Sequence, residues 1–253
     1  MTVSLKAIEA ELRQLLKPEQ FADYCPNGLQ VEGRPNVKKI VSGVTASREL
    51  IAAASAEKAD LLLVHHGYFW RGEDQTITGL KKARIEMLLE NGMSLVAYHL
   101  PLDVHSELGN NVQLARVLGF EIQAEMGRQN NHPVGLIGSV KRPLGGVEFQ
   151  QLLTDRLARA PLHIPGVAEK ISTVAWCTGA AQNYIELAVA AGVDAYISGE
   201  VSESTVHIAR ESGLHFFAAG HHATEKYGVQ ALGDYLADKF PLVHQFIDID
   251  NPA

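Results

Sequence analysis

Short apolar runs bounded by glycine or polar residues alternate along this chain with longer stretches whose apolar positions recur at helical spacing. Ala59-Asp60-Leu61-Leu62-Leu63-Val64, followed by His65, His66 and Gly67, is too short for a core helix and reads as a buried strand. Ile40-Val41, Ser94 to Tyr98, Val174-Ala175-Trp176, Val193 to Ile197 and His215 to Gly220 have the same character. Between them the spacing predicts helices over Leu5 to Leu16, Ser47 to Glu57, Leu80 to Asn91, Val112 to Leu118, Gly146 to Leu157, Gln182 to Ala191, Ser204 to Ser212 and Thr224 to Lys239. Gly92, Gly119 and Gly213 stand where helix C-terminal caps belong. The stretch from Glu121 to Ser172, with Pro133, Pro143, Pro161 and Pro165, is the least regular. It is expected to hold a crossing between two halves and a short hairpin around Val134 to Val140.

The pattern repeats. Lys39 to His66 aligns without gaps onto Thr173 to Glu200, with Leu50, Ile51 and Ala54 of the first helix against Tyr184, Ile185 and Ala188 of the second. After each copy comes a further apolar strand, then a histidine and, four residues on, a carboxylate: His99 and Asp103, then His221 and Glu225. Any chain of alternating strands and helices yields some such pairs, but two in the same order point to duplication. The chain therefore reads as α/β: two βαβαβ-like halves with mostly parallel, buried strands and helices on their faces. The halves are placed at residues 1–127 and 128–253 and are expected to pack as one structural unit.

At 253 residues the chain can bury a large core. A net charge of -7 and a pI near 5.9 argue against a general binder of phosphate backbones, although a local basic groove remains compatible. Cys25 and Cys177 are far apart, which suggests neither a disulfide framework nor a thiolate zinc site. The N-terminal residues lack the apolar stretch of a signal peptide and no run reaches membrane-spanning length. The default expectation is a cytoplasmic protein.

The chemistry gathers at strand ends. His65, His66, His99, Asp103, His221, His222 and Glu225 all follow predicted parallel strands, where open α/β sheets place their ligands. Imidazoles with carboxylates and no thiolate make a donor set for a pair of divalent cations, iron, manganese, zinc or nickel. Taken singly, each has an ordinary role: helix capping for Asp103 and Glu225, a buried hydrogen-bonded ring for His99, a water-satisfied pair for His65 and His66. The recurrence favours metal. Glu200 and Glu203 follow the strand equivalent to the one bearing His66, and read either as supporting groups and proton carriers or as a solvated helix start. His207, His215 and His222 have more ordinary readings, and His105, His132, His163 and His244 have no spacing argument. Asn27-Gly28-Leu29-Gln30-Val31-Glu32-Gly33 looks like a turn whose backbone approaches something closely. No phosphate-cradling loop, nucleophile elbow or dinucleotide fingerprint is found.

On Pro26-Asn27-Gly28-Leu29-Gln30-Val31-Glu32-Gly33, Ser42-Gly43-Val44-Thr45-Ala46-Ser47, Val64 to Trp70, His99 to Asp103, Gly109-Asn110-Asn111, Ser198 to Glu203 and Gly220 to Glu225, the chain resembles the Nif-three-like family, the GTP cyclohydrolase 1 type 2 homologs. The resemblance covers nearly the whole chain and is to the short bacterial, YbgI-type members. It implies two intertwined three-layer α/β/α halves related by an internal duplication. It also implies two divalent cations per chain held by His65, His66, Asp103, His221 and a bridging Glu225, with His99 a neighbour of the ligands. Toroidal homohexamers are a further implication.

The function so implied is a dinuclear metal-dependent hydrolase, GTP cyclohydrolase-like in the first instance, in which the imidazole ring of a nucleotide opens and formate leaves. His99 and Glu200 are the candidates for moving protons. Nothing in these residues recognises guanine. Two alternatives stay open: phosphoester or amide hydrolysis at the same centre, and a non-enzymatic metal-bearing oligomer that binds a protein or nucleic acid in regulation.

Overall fold

The structure, a computed structural model, describes residues 2–129 and 131–253. Its elements in chain order are β1 (Val3–Ser4), α1 (Leu5–Leu16), β2 (Gly28–Val31), β3 (Asn36–Val37), β4 (Lys39–Thr45), α2 (Arg48–Ala56), β5 (Leu61–His66), α3 (Gly79–Glu90), β6 (Ser94–Ala97), α4 (Leu100–Asp103) and α5 (Asn110–Leu118). There follow β7 (Glu121–Gln129), β8 (His132–Leu144), α6 (Gly146–Leu157), β9 (Leu162–Ile164), β10 (Ile171–Cys177), α7 (Ile185–Ala191), β11 (Ala195–Ser198), α8 (Glu203–Ser212), β12 (His215–Ala218), α9 (His221–Thr224), α10 (Lys226–Lys239) and β13 (Val243–Phe246). Ser4 and Ser47 start α1 and α2 by accepting the amides of Ala7 and Leu50, each at 3.2 Å. Gly119 and Gly213 end α5 and α8 in the left-handed conformation, as their positions predict.

The chain forms two compact units. The first runs to Leu108 and takes in Gly228–Asp250; the second is Gly109–Tyr227 with Asn251–Ala253. These bounds differ from 1–127 and 128–253. Leu114, Ala115 and Leu118 of α5 and Met126 of β7 are buried in the second unit, and Val229, Leu232 and Leu236 of α10 in the first.

In the first unit the sheet order is β13-β4-β5-β6-β2, parallel except for β2. Alternate residues feed two cores, which is why the strands read as continuous apolar runs. Ile40, Leu61, Leu63 and Val96 meet α1 and α10 on one face; Val41, Leu62, Val64 and Leu95 meet α2 and α3 on the other. The unit is a three-layer α/β/α stack.

The second unit is layered likewise. Val174, Trp176, Ala195, Ile197 and Phe217 face α5 and α6, while Ala175, Tyr196 and Phe216 face α7 and α8. Its sheet order is β7-β8-β10-β11-β12-β9. Only β10-β11-β12 are mutually parallel; β7-β8, β8-β10 and β12-β9 pair antiparallel. The stretch expected to be irregular holds a long hairpin, β7-β8, then α6 and β9; Val134 to Val140, expected to form a short hairpin, lies inside the single strand β8. Its glycines, which hide the strand pattern in the sequence, serve close backbone approach: a Cβ on Gly135 would lie 2.3 Å from the Trp176 carbonyl oxygen, and one on Gly138 2.2 Å from that of Glu121.

The two parallel triplets share one clasp. Asp60 Oδ2 accepts the amides of Lys38 and Lys39 at 2.8 and 3.1 Å, and Asp194 Oδ2 those of Ser172 and Thr173 at 2.8 Å each. Among the described residues no helix is long and apolar enough to cross a membrane.

Candidate metal centre

Parallel strands deliver side chains to the carboxyl edge of their sheet. In the first unit β5 ends on His65 and His66, and the turn after β6 supplies His99 and Asp103. His65 is fully buried, with Nδ1 2.9 Å from the Tyr98 carbonyl oxygen. A carbonyl only accepts, so Nδ1 carries the proton and the lone pair sits on Nε2, 3.5 Å from Asp103 Oδ1. His66 Nδ1 lies 3.1 Å from Thr45 Oγ1. The His65 and His66 rings, though adjacent in sequence, are 4.5 Å apart between centroids. The chain leaves the strand at Gly67, where a Cβ would stand 2.1 Å from Gln30 Oε1. That oxygen accepts the Tyr68 amide at 2.7 Å.

His99 is held from behind. Its Nδ1 is 2.7 Å from Asp23 Oδ1, and its amide donates to Asn27 Oδ1, also at 2.7 Å. Asp23 Oδ2 accepts Leu100 N at 2.9 Å and Asn27 Nδ2 at 2.8 Å. Burial disfavours the charged carboxylate, but His99, Asn27 and the Tyr24 amide outweigh it and hold Asp23 below the usual carboxylate range. The His99 ring lies 5.1 Å from that of His65 and 5.8 Å from that of His66, with Trp70 edge-on at 5.0 Å. One nitrogen from each of His65, His66 and His99 falls within 4.8 Å of the others.

In the second unit Gly199 and Glu200 follow β11, and Gly220 leads from β12 into α9. His221 Nδ1 is 2.7 Å from Glu200 Oε1, and Nε2 is 3.0 Å from Glu225 Oε2. Burial opposes charge on this ring, yet the Glu225 and Glu200 carboxylates prevail and raise its pKa to about 9. The site thus draws positive charge. Glu225 is buried, and Gly179, at φ +68, makes its room: a Cβ there would be 2.0 Å from Glu225 Oε1 and 3.2 Å from His221 Nε2.

The donor set suits divalent cations. His65, His66 and His221 each engage Nδ1 with an oxygen, the arrangement of metal-binding histidines, and a carboxylate faces Nε2 of His65 and of His221. Burial, with Asp23 and Asp103, pushes the Cys25 thiol up to about 12, and its sulfur lies within 4.8 Å of ligand atoms of Asp23 and His99.

His65, His66, His99 and Asp103 therefore gather in the first unit, and His221, Glu200 and Glu225 in the second. Glu203 is the exposed first residue of α8. His215 is spent on His163 (3.0 Å) and the Ala168 carbonyl oxygen (2.9 Å), and His244 on Ser42 and Asp234 at 2.7 Å each. Sequence reasoning missed Asp23, Thr45 and Gly179, whose partners are distant in the chain. Only the Asn27 to Gly33 turn gave a signal, and Asn27 and Gln30 are its working members.

The profile of the Duf34/NIF3 family (NGG1p interacting factor 3) matches residues 3–252. A Pseudomonas aeruginosa protein named "GTP cyclohydrolase 1 type 2 homolog" is 54% identical over 253 residues, covering all of both chains. A Vibrio cholerae protein of the same name is 54% identical over 250 residues, covering 97% of this chain and 98% of its own. Among solved structures, the protein ybgI, titled as of unknown function, superposes with a TM-score of 0.95 at 47% identity, over 99% of this chain and all of its own. A Thermus thermophilus protein gives 0.89 at 31%, over the same shares.

Proposed function

This chain belongs to the Duf34/NIF3 family, and from that premise we propose that it is a dinuclear metal-dependent hydrolase whose ligands are His65, His66, Asp103, His221 and Glu225. The observation that carries the reading is how the imidazoles are held: Nδ1 of His65 against the Tyr98 carbonyl oxygen and Nδ1 of His221 against Glu200, with a carboxylate facing Nε2 of each. Bound cations supply Lewis acidity and a water of lowered pKa.

The protein's own part is positioning and proton transfer. Asp103 and Glu225 carry the negative charge that balances the cations. His99 holds or moves a proton at Nε2, its orientation fixed by Asp23 behind it. Glu200 keeps the His221 ring aligned through Nδ1 and is half open to solvent, which suits it to exchange a proton. Hydrolytic opening of a purine nucleotide's imidazole ring, with release of formate, is the first substrate chemistry to test, since the relatives' name points there. Assembly as a homo-oligomer, a toroidal hexamer by the resemblance, and a cytoplasmic location belong to the same reading.

The test is reconstitution with iron, manganese, zinc or nickel, elemental analysis, and a turnover screen against nucleotides, phosphoesters and amides, beside Asp103→Ala and Glu225→Gln. Two cations per chain and turnover lost in both variants support the reading. Metal-free material after reconstitution sinks it. A protein or nucleic-acid partner bound equally by wild type and variants, with no turnover, supports a scaffold instead.

A further inference from the structure

Among the described residues Arg159, in the second unit, makes no ion pair. Ala158 ends α6 in the left-handed conformation, at φ 55, and turns Arg159 back against the sheet's carboxyl edge. Arg159 is half-buried, and its Nε is shut off from water with no hydrogen-bond partner among the described residues. It packs on backbone: a Cβ on Gly220, at φ +101, would lie 2.7 Å from that Nε and 3.0 Å from Cζ. The guanidinium thus rests on the residue that precedes His221.

Arg159 borders an open cleft of about 560 Å³, within the range of small-molecule sites. Glu200, the one carboxylate side chain lining that cleft, is turned to His221 Nδ1 at 2.7 Å. Ala253, also at the rim, accepts the His222 amide at 3.3 Å. Leu162 and Val201 present apolar wall on the same cleft and are 51% and 37% exposed. A guanidinium does not deprotonate, and shutting its Nε from water without a partner is unfavourable. Its planar fork matches two oxygens of a phosphate or carboxylate.

We propose that this cleft is an oxyanion subsite in which Arg159 binds the phosphate of an organic phosphate ester, whose apolar body lies on Leu162 and Val201. That the subsite serves the reaction rests on the metal-dependent reading; the affinity of Arg159 for the anion does not. It is tested on the full chain stripped of metal by chelation and dialysis, so that metal cannot bind the probe. Inorganic pyrophosphate is titrated calorimetrically into wild type, Arg159→Ala and Arg159→Lys, with succinate in a parallel arm. Saturable pyrophosphate binding, at least tenfold weaker in Arg159→Ala and partly restored in Arg159→Lys, supports the subsite. Succinate binding as tightly as pyrophosphate overturns the assignment to phosphate. No saturable binding to wild type, or equal binding to wild type and both variants, overturns the proposal. Both variants are checked for unchanged melting temperature without ligand, and Arg159→Lys carries the test should Arg159→Ala fail to fold. Elemental analysis of the same variants separates the two readings: pyrophosphate binding without metal uptake leaves the subsite standing, and metal uptake without pyrophosphate binding leaves only the centre.

Discussion

Substituting Gly179 by alanine tests whether the room beside Glu225 exists for a ligand. Gly179 has φ +68, and a left-handed alanine is strained by about 1–2 kcal/mol. The new Cβ would stand 2.0 Å from Glu225 Oε1. Carbon and oxygen do not approach closer than about 3 Å, so the carboxylate must retreat by about 1 Å. Glu225 is 3% exposed, so the carboxylate must shift within the protein interior. Metal–ligand bonds tolerate only about 0.2 Å, so the displaced oxygen leaves coordination range. Gly192 is the matched control: its φ is also +68, yet nothing lies within 4 Å of a Cβ there. Gly179→Ala is expected to lose about 2 kcal/mol, or about 4–8 °C in melting temperature, and to bind metal at least about tenfold more weakly. Gly192→Ala is expected to lose the strain alone and keep full metal content. The assay is thermal unfolding of the metal-free forms, then elemental analysis after dialysis against a fixed free concentration of zinc or manganese. Metal content unchanged in Gly179→Ala, or reduced equally in both variants, would refute the reasoning.

Asp23→Ala removes the acceptor of His99 Nδ1, Leu100 N and Asn27 Nδ2, and is expected to lose about 2–4 kcal/mol and shift the His99 ring ¹⁵N resonances; urea unfolding and NMR check it, and a loss below about 0.5 kcal/mol would contradict it. Asp194 is held low because the amides of Thr173 and Ser172 outweigh its burial, so its contribution is present above the unfolded pKa of about 3.9 and is lost as pH falls through the lower folded value. The stability gap between wild type and Asp194→Asn should therefore narrow from pH 7 to pH 3 in urea titrations, and a constant gap counts against this. With Cys25 buried and raised to about 12 and Cys177 buried, a disulfide reagent at pH 8 should label neither thiol of the native protein and both once guanidinium unfolds it; rapid native labelling is the adverse result.

The sequence announced most of the helices because their signals are local. Leu5, Ile8, Leu12 and Leu16 make one buried stripe behind a serine cap, and α1 spans the predicted residues. The β7-β8 hairpin was legible only as a shorter, misplaced hairpin around Val134 to Val140, for the opposite reason. Its glycines answer to Trp176 and Glu121, partners that a local reading does not see. Likewise the chemistry-bearing side chains stood out as residue types at strand ends, whereas what orients them did not. The Tyr98 carbonyl behind His65 carries no side-chain signature at all, and Asp23 lies 76 residues from His99.

The strand registers refine the repeat and correct one part of it. Ile40↔Leu61 and Leu61↔Ser94 in the first unit correspond under the alignment to Val174↔Ala195 and Ala195↔His215 in the second, and the remaining pairs follow in step. This supports the proposed duplication. Carried past the third strand without a gap, the correspondence sets α4 (Leu100–Asp103) against α9 (His221–Thr224). His99 then falls opposite Gly220, not His221, and Asp103 opposite Thr224, not Glu225. One residue is about 100° of rotation on a helix, so the two His-x-x-x-carboxylate pairs present different faces. Thr224, at the place of Asp103, spends its hydroxyl on backbone, accepting Gly179 N at 3.1 Å and donating to the Gly220 carbonyl oxygen at 2.9 Å. That bond holds Gly179 in the conformation that leaves room for Glu225. The pairs are therefore not two copies of one ligand motif. The first unit offers imidazoles from the middle strand with a carboxylate from the turn beyond. In the second, the middle strand ends in the carboxylate Glu200, which orients an imidazole rising from that turn. The two units thus share a strand framework and differ in the side chains they set at its carboxyl ends.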